Sequence, residues 1–181
     1  MNAALYYLGR FAASRAGVRA VLLRKVARSL AEHGGERDEA EAWVESVLDD
    51  LVRQGWLNDR AFAVSRARAL WAQGTARRSI AGKLAQKGVA ADDIAEALDS
   101  LEDEMALIAR DPQAEPANPD LAAAIAYARR RRLGPWRMDP QQRAERRDKD
   151  LAALARRGFS LSIACQVLDA EDPDQAEALI E

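Results

Sequence analysis

Three short segments of one design constrain this chain more than any other feature: Gln54-Gly55-Trp56, Lys87-Gly88-Val89 and Arg157-Gly158-Phe159. Each is a polar residue, a glycine and a large apolar residue, and each lies between two helical patterns. A helix ends this way when the glycine takes the left-handed conformation and the next apolar side chain folds back onto the last turn. One such stop is commonplace. Three of them, followed by helices bearing Phe62, Ile94 and Ile163, point to related helical units and so to a repeat array. A single globular bundle with accidental similarity is the alternative.

The apolar periodicity agrees. Ala and Leu dominate an apolar fraction of 49%, while aromatic residues make up 6%, a composition that favours helices over sheet. Helices are predicted over 3–15 and 18–32, joined near Gly17, and over 40–54, where Trp43, Val44, Val47, Leu48, Leu51 and Val52 share a face. Asn58 or Asp59 caps the next helix, which runs to Gln73. Gly74 stops it, and Thr75 caps a short helix carrying Ile80 and Leu84. Residues 91–109 place Ile94, Ala97, Leu98, Leu101, Met105 and Ile108 on one side, and a break follows at 111–118 with Pro112 and Pro116. Asn118-Pro119 and Asp139-Pro140 each read as a capping side chain followed by a proline pre-set for the first helical position. The final helix starts at Ser160. The expected fold is all-α: about nine helices in three tandem three-helix units, 3–54, 58–109 and 118–170, forming an elongated, curved array. An acidic C-terminal tail, 171–181, follows.

Function classes fall away quickly. No apolar run reaches the roughly 18–20 residues of a membrane span, and the N-terminus lacks a signal-peptide pattern, so a cytoplasmic protein with no membrane partner is expected. Cys165 and His33 are each the single residue of their type, which removes a disulfide framework and zinc-ligand spacing. Cys165 reads as a core residue and His33 as a solvated helix end. Gly82-Lys83-Leu84 lacks the leading glycine and the Ser/Thr of a phosphate-binding loop. Asp49-Asp50 and Asp92-Asp93 are consecutive helical positions that do not converge on one point. The tryptophans, Trp43, Trp56, Trp71 and Trp136, read as core or turn anchors, with Trp136 the most open to a surface role. No catalytic residue, metal or cofactor is expected.

Charge is the informative remainder. The net charge of −2 conceals alternation: successive segments ending at residues 37, 59, 87, 120, 160 and 181 carry +5, −6, +7, −9, +7 and −6. Such a layout gives solvated faces that pair between neighbouring helices, or a basic stripe tracking phosphates beside acidic faces that meet a protein. Arg66, Arg77, Arg78, Lys83 and Lys87 lie in a stretch without a local acidic partner. Arg129, Arg130, Arg131 and Arg132 end a helix, where cations favour the dipole but four in succession cover more than one face. Arg156 and Arg157 end another. These are the candidate contacts for nucleic acid or an acidic partner. Arg143, Arg146, Arg147 and Lys149 have Glu145, Asp148 and Asp150 beside them and are expected to pair locally.

Residues 55–89, GWLNDRAFAVSRARALWAQGTARRSIAGKLAQKGV, resemble the central signature of the RecX regulatory proteins, with Gly55, Trp56, Asp59, Phe62, Ala63, Gly74, Lys87 and Gly88 at the matching positions. Residues 149–168, KDLAALARRGFSLSIACQVL, resemble the closing motif. The opening ALYYLGRFAASRAGVRAVLLRKVAR and the segment RRRRLGPWR look like the alphaproteobacterial branch. The resemblance covers about 3–170. The polar link at 31–40 has no clear counterpart, and the overall acidity departs from the basic balance of a filament binder.

The resemblance implies an array of three-helix units without enzymatic activity that binds the RecA recombinase filament on single-stranded DNA. It implies restraint of ATP hydrolysis, filament growth and strand exchange, within DNA repair and the SOS response. A monomer with weak direct DNA binding is expected. Two other readings stay open: a helical DNA-binding module acting independently of RecA, and a structural helical scaffold.

Overall fold

The structure, a computed structural model, describes residues 2–108 and 118–180. These form ten α-helices and no strand: α1 (Asn2–Leu8), α2 (Arg15–His33), α3 (Arg37–Arg53), α4 (Asp59–Ala72), α5 (Arg77–Ala85), α6 (Ala91–Ile108), α7 (Pro119–Arg131), α8 (Pro140–Arg156), α9 (Leu161–Asp169) and α10 (Pro173–Glu177). Short 3-10 turns span Gly134–Trp136 and Ala178–Ile180. The break expected at 111–118 lies, apart from Asn118, outside the described residues, as do the side chains of Met105 and Ile108.

Most helix boundaries follow from capping chemistry. Asn118 accepts from the N–H groups of Asp120 and Leu121, Asp139 from Gln141 and Gln142, and Ser160 from Ile163. Asn58 accepts from Ala61 at the start of α4. The glycine stops also hold. Gly55, Gly88 and Gly158 all have positive φ, and the following residue donates to a fully buried leucine, Leu51, Leu84 or Leu154.

The first stop, however, is out of phase with the other two. Gly88 and Gly158 end the middle helices of the triplets α4–α6 and α7–α9, whereas Gly55 ends α3, the last helix of its triplet. Gly34, which ends α2 at φ 74°, is the counterpart in the first triplet. The apolar partner differs accordingly: Val89 and Phe159 are buried, but Trp56 is 59% exposed and Leu57 takes the inner position.

Other expectations give way to tertiary contacts. The join expected near Gly17 lies earlier, because Ser14 caps α2 and carries Gly17 inside it. Thr75 caps nothing. Its hydroxyl is buried without a hydrogen-bond partner among the described residues, and α5 is capped by another helix. Trp43 is 66% exposed rather than an anchor, and Trp136 packs against the core. The C-terminal segment is not a bare tail: Asp172 caps α10, Ala176 is buried and Ile180 packs against the core.

The chain divides into two compact units, Met1–Ser65 with Lys83–Ala97, and Arg66–Gly82 with Leu98–Glu181; α4, α5 and α6 contribute to both. The core of the first is built from Ala4, Val18, Leu22, Val44, Leu48, Leu51 and Leu57. That of the second gathers α7 residues such as Ile125 and Ala128 with Leu154, Phe159, Val167 and Leu168. No described helix is long and apolar enough to cross a membrane.

Candidate interaction site

Each unit contains one joint between successive triplets, and the two joints use the same parts. In the first unit, α2 begins at Arg15, whose backbone N–H donates to Asp59 at 2.6 Å. Asp59 starts the first helix of the next triplet. The Arg15 side chain is held by Glu45 at 3.0 Å and Asp49 at 2.7 Å on α3. In the second unit, α5 begins at Arg77, whose N–H donates to Asp120 at 2.7 Å, near the start of α7. The Arg77 side chain is held by Asp99 at 3.2 Å and by Glu102 on α6. An orphan N–H at a helix start is thus satisfied by a carboxylate from the following triplet.

The glycine stop completes each joint. In the first, Ser14 donates its hydroxyl to the Lys87 carbonyl, and Gly88 lies so close to Ala16 that a Cβ would overlap it. In the second, the Ala76 N–H donates to the Arg157 carbonyl at 3.1 Å, and a Cβ on Gly158 would overlap Ser79. The third triplet has no such donor, because α8 begins at Pro140 and is capped by its own Asp139.

The second joint gathers most of the expected cations. Tyr127 of α7 is buried, with two guanidiniums over its ring, Arg157 at 4.8 Å from the centroid and Arg130 at 5.9 Å. Arg130 also donates to the carbonyls of Ala72 and Gln73 at 3.1 and 2.6 Å, closing the end of α4. Arg78 adjoins Ser79, Arg156 adjoins Arg157, and Arg131 and Arg132 continue from Arg130. These four are exposed and form no ion pair with any described residue. Arg132 has φ 54°, a left-handed conformation costing an L-residue about 1 kcal/mol that glycine would avoid.

The remaining candidates divide. Arg77 and Arg129 are paired, Arg77 as above and Arg129 with Glu177 at 3.3 Å. Arg77 lacks an acidic neighbour in sequence but not in space. Arg66 is exposed in the second unit, while Lys83 and Lys87 are exposed in the first. Sequence reasoning overlooked Tyr127, although a tyrosine two residues before the arginine run is a usable signal.

Two of the four cations expected to pair along α8, Arg143 and Arg147, reach elsewhere. Arg143 donates to the carbonyls of Leu168 at 3.1 Å and Glu171 at 2.7 Å. Arg147 forms a bidentate pair with Asp169 at 2.9 Å, and this hydrogen bonding holds the Asp169 carboxyl below its usual range and raises the guanidinium. Asp150 is buried against Arg137 and the Gly134 N–H. Among the described residues no group of three or more His, Cys, Asp or Glu could hold a metal.

Residues 58–98 match the family model described as RecX, second three-helix domain. The regulatory protein RecX of Myxococcus xanthus (strain DK1622) is 48% identical over 168 residues, spanning 93% of this chain and 83% of that protein. The chain belongs to the RecX family. RecX regulatory proteins of Agrobacterium fabrum (strain C58 / ATCC 33970) and Thermobifida fusca (strain YX) are 28% identical over 180 residues and 30% identical over 163. These matches cover 99% and 86% of this chain, and 86% and 79% of the relatives. No solved structure matches. The segment matching the second RecX domain holds Asp59, Lys87 and Gly88 of one joint and Ala76 and Arg77 of the other. It therefore supplies parts to both couplings. As a RecX protein the chain is a regulator.

Proposed function

We propose that this chain restrains the RecA recombinase by binding its filament on single-stranded DNA, slowing ATP hydrolysis, filament growth and strand exchange in DNA repair and the SOS response. RecX membership supports the class of activity. The observation that carries the contact is that Arg78, Arg131, Arg132 and Arg156 of the second unit are exposed and form no ion pair with any described residue, in a chain of net charge −2. Cations with no ion pair to any described residue, where so many others are clamped, are available to phosphates or to acidic protein surface. No step of bond making is required of this chain, and three-helix triplets joined by fixed contacts can present separate faces to adjacent subunits.

The test is ATP hydrolysis by the cognate RecA on single-stranded DNA, with this protein titrated below one per RecA. A fall at substoichiometric amounts supports the reading. No change up to equimolar amounts, with helicity confirmed by circular dichroism, overturns it. The triple variant Arg78→Glu, Arg131→Glu, Arg156→Glu keeps every described ion pair and is expected to lose inhibition, and full inhibition would remove this face from the argument. DNA binding without RecA, falling steeply with salt, would favour the independent DNA-binding module.

A further inference from the structure

The first unit carries an apolar groove that its own helices leave uncovered. Helix α1 has 7 residues, about 10 Å of rise, against 19 in α2 and 17 in α3, about 28 and 25 Å. It cannot cover the seam between them. Beyond it lies a groove of about 320 Å³, which α1 reaches only with Ala3. Leu22 and Val26 of α2 form one wall, and Trp43, Val44 and Val47 of α3 form the other. Trp43, a residue type that dominates binding surfaces, is 66% exposed there.

The charge around the groove differs between its walls: basic on α2, whereas the exposed Glu39 lies one turn before Trp43 on α3. Lys25 is the only charged residue among those lining it. Arg28 follows one helical position set along α2, exposed and without an ion pair to any described residue. Both walls are helices, with no open strand edge to receive an extended peptide. The lining from Ala40 to Val47 rises about 10 Å, or two helical turns.

We propose that this groove docks one amphipathic α-helix of a protein partner, with its apolar stripe on Trp43, Val26 and Val47 and a row of carboxylates along Lys25 and Arg28. The helix completes the packing that α1 is too short to provide. Apolar side chains at i, i+3 or i+4, and i+7 supply the burial. Carboxylates on the flank that meets α2 set its orientation. The inference goes beyond the recombinase reading and stands without it, because the groove recognises protein rather than phosphate.

The experiment uses the full chain and two synthetic helical peptides of about fourteen residues, identical in their leucine stripe, one flanked by glutamates and the other by lysines. Fluorescence anisotropy of the labelled peptides gives affinities without RecA present. The glutamate peptide is expected to bind about tenfold more tightly. Trp43→Glu, at an exposed position, is expected to weaken it at least about thirtyfold. Lys25→Glu with Arg28→Glu is expected to reverse the preference. Equal affinity for the two peptides, no effect of Trp43→Glu in a helical variant, or binding of neither peptide at roughly millimolar concentration overturns the proposal. So does a dimer in sedimentation that Trp43→Glu disperses, since the occupant would then be a second copy of the chain.

Discussion

The buried pair between Arg137 and Asp150 offers the sharpest test of the packing described above. Asp150 is 3% exposed and accepts three hydrogen bonds, from the Gly134 N–H at 3.1 Å and from Arg137 at 2.8 and 2.6 Å. The Arg137 side chain is 19% exposed. Removing one partner of a buried pair costs about 3–5 kcal/mol, chiefly by stranding the other charge. The two ends are not equivalent. Asp150→Ala leaves a guanidinium that can reach water, which places it near the lower bound, about 3 kcal/mol. Arg137→Met leaves a carboxylate with one backbone donor and almost no solvent, which places it near the upper bound, about 5 kcal/mol. The double variant strands neither charge, so its cost falls below the sum of the singles by at least about 2 kcal/mol. Urea denaturation followed by far-UV circular dichroism measures all three. Additive single costs, or an Arg137→Met cost under about 1 kcal/mol, would refute the reasoning, because the pair would then behave as a solvated one.

Three further outcomes follow from the same contacts. Gly88→Ala and Gly158→Ala are expected to cost about 2–4 kcal/mol, combining left-handed strain with overlap on Ala16 or Ser79; Gly55→Ala, which faces open space, costs only about 1 kcal/mol, and equal melting shifts for the three would contradict the joints. Thr75→Val removes a buried hydroxyl that has no partner among the described residues and is expected to be neutral or stabilising in thermal melts, whereas a loss above about 2 kcal/mol would mean that the hydroxyl is bonded. Hydrogen bonds from Arg19 and Arg147 hold the Glu45 and Asp169 carboxyls below their usual ranges. Their folded values lie below their unfolded ones, so this stabilisation is full above the ordinary carboxylate range and is lost as pH falls through the depressed values. NMR titration of the two side chains, with normal midpoints as the contrary result, checks it.

Local chemistry explains how much was legible in the sequence. Asn118, Asp139 and Ser160 act within three residues of themselves, so their helix starts could be read directly. So could the glycine stops, whose hydrogen bonds close over one turn. Thr75 is the instructive failure: it has the right side chain in the right place, yet Asp120, 45 positions on, reaches the helix start first. Arg77 looked unpaired for the same reason, its carboxylates being on α6. Trp43 and Trp56 follow the apolar pattern but remain exposed. Nothing local reveals that α1 stops short of Trp43, or that Leu57 outcompetes Trp56. The basic residues stand out by composition, but only the fold separates the clamped Arg77 and Arg129 from Arg78, Arg131 and Arg156, which form no ion pair with any described residue.

Pro140 gives the joints a further meaning. Arg15 and Arg77 each offer an N–H that a later triplet's carboxylate takes up. The corresponding residue of α8 is a proline, whose nitrogen has no hydrogen to offer. Lengthening the protein by grafting another triplet after α9 would therefore call first for an N–H at position 140 and an aspartate to receive it.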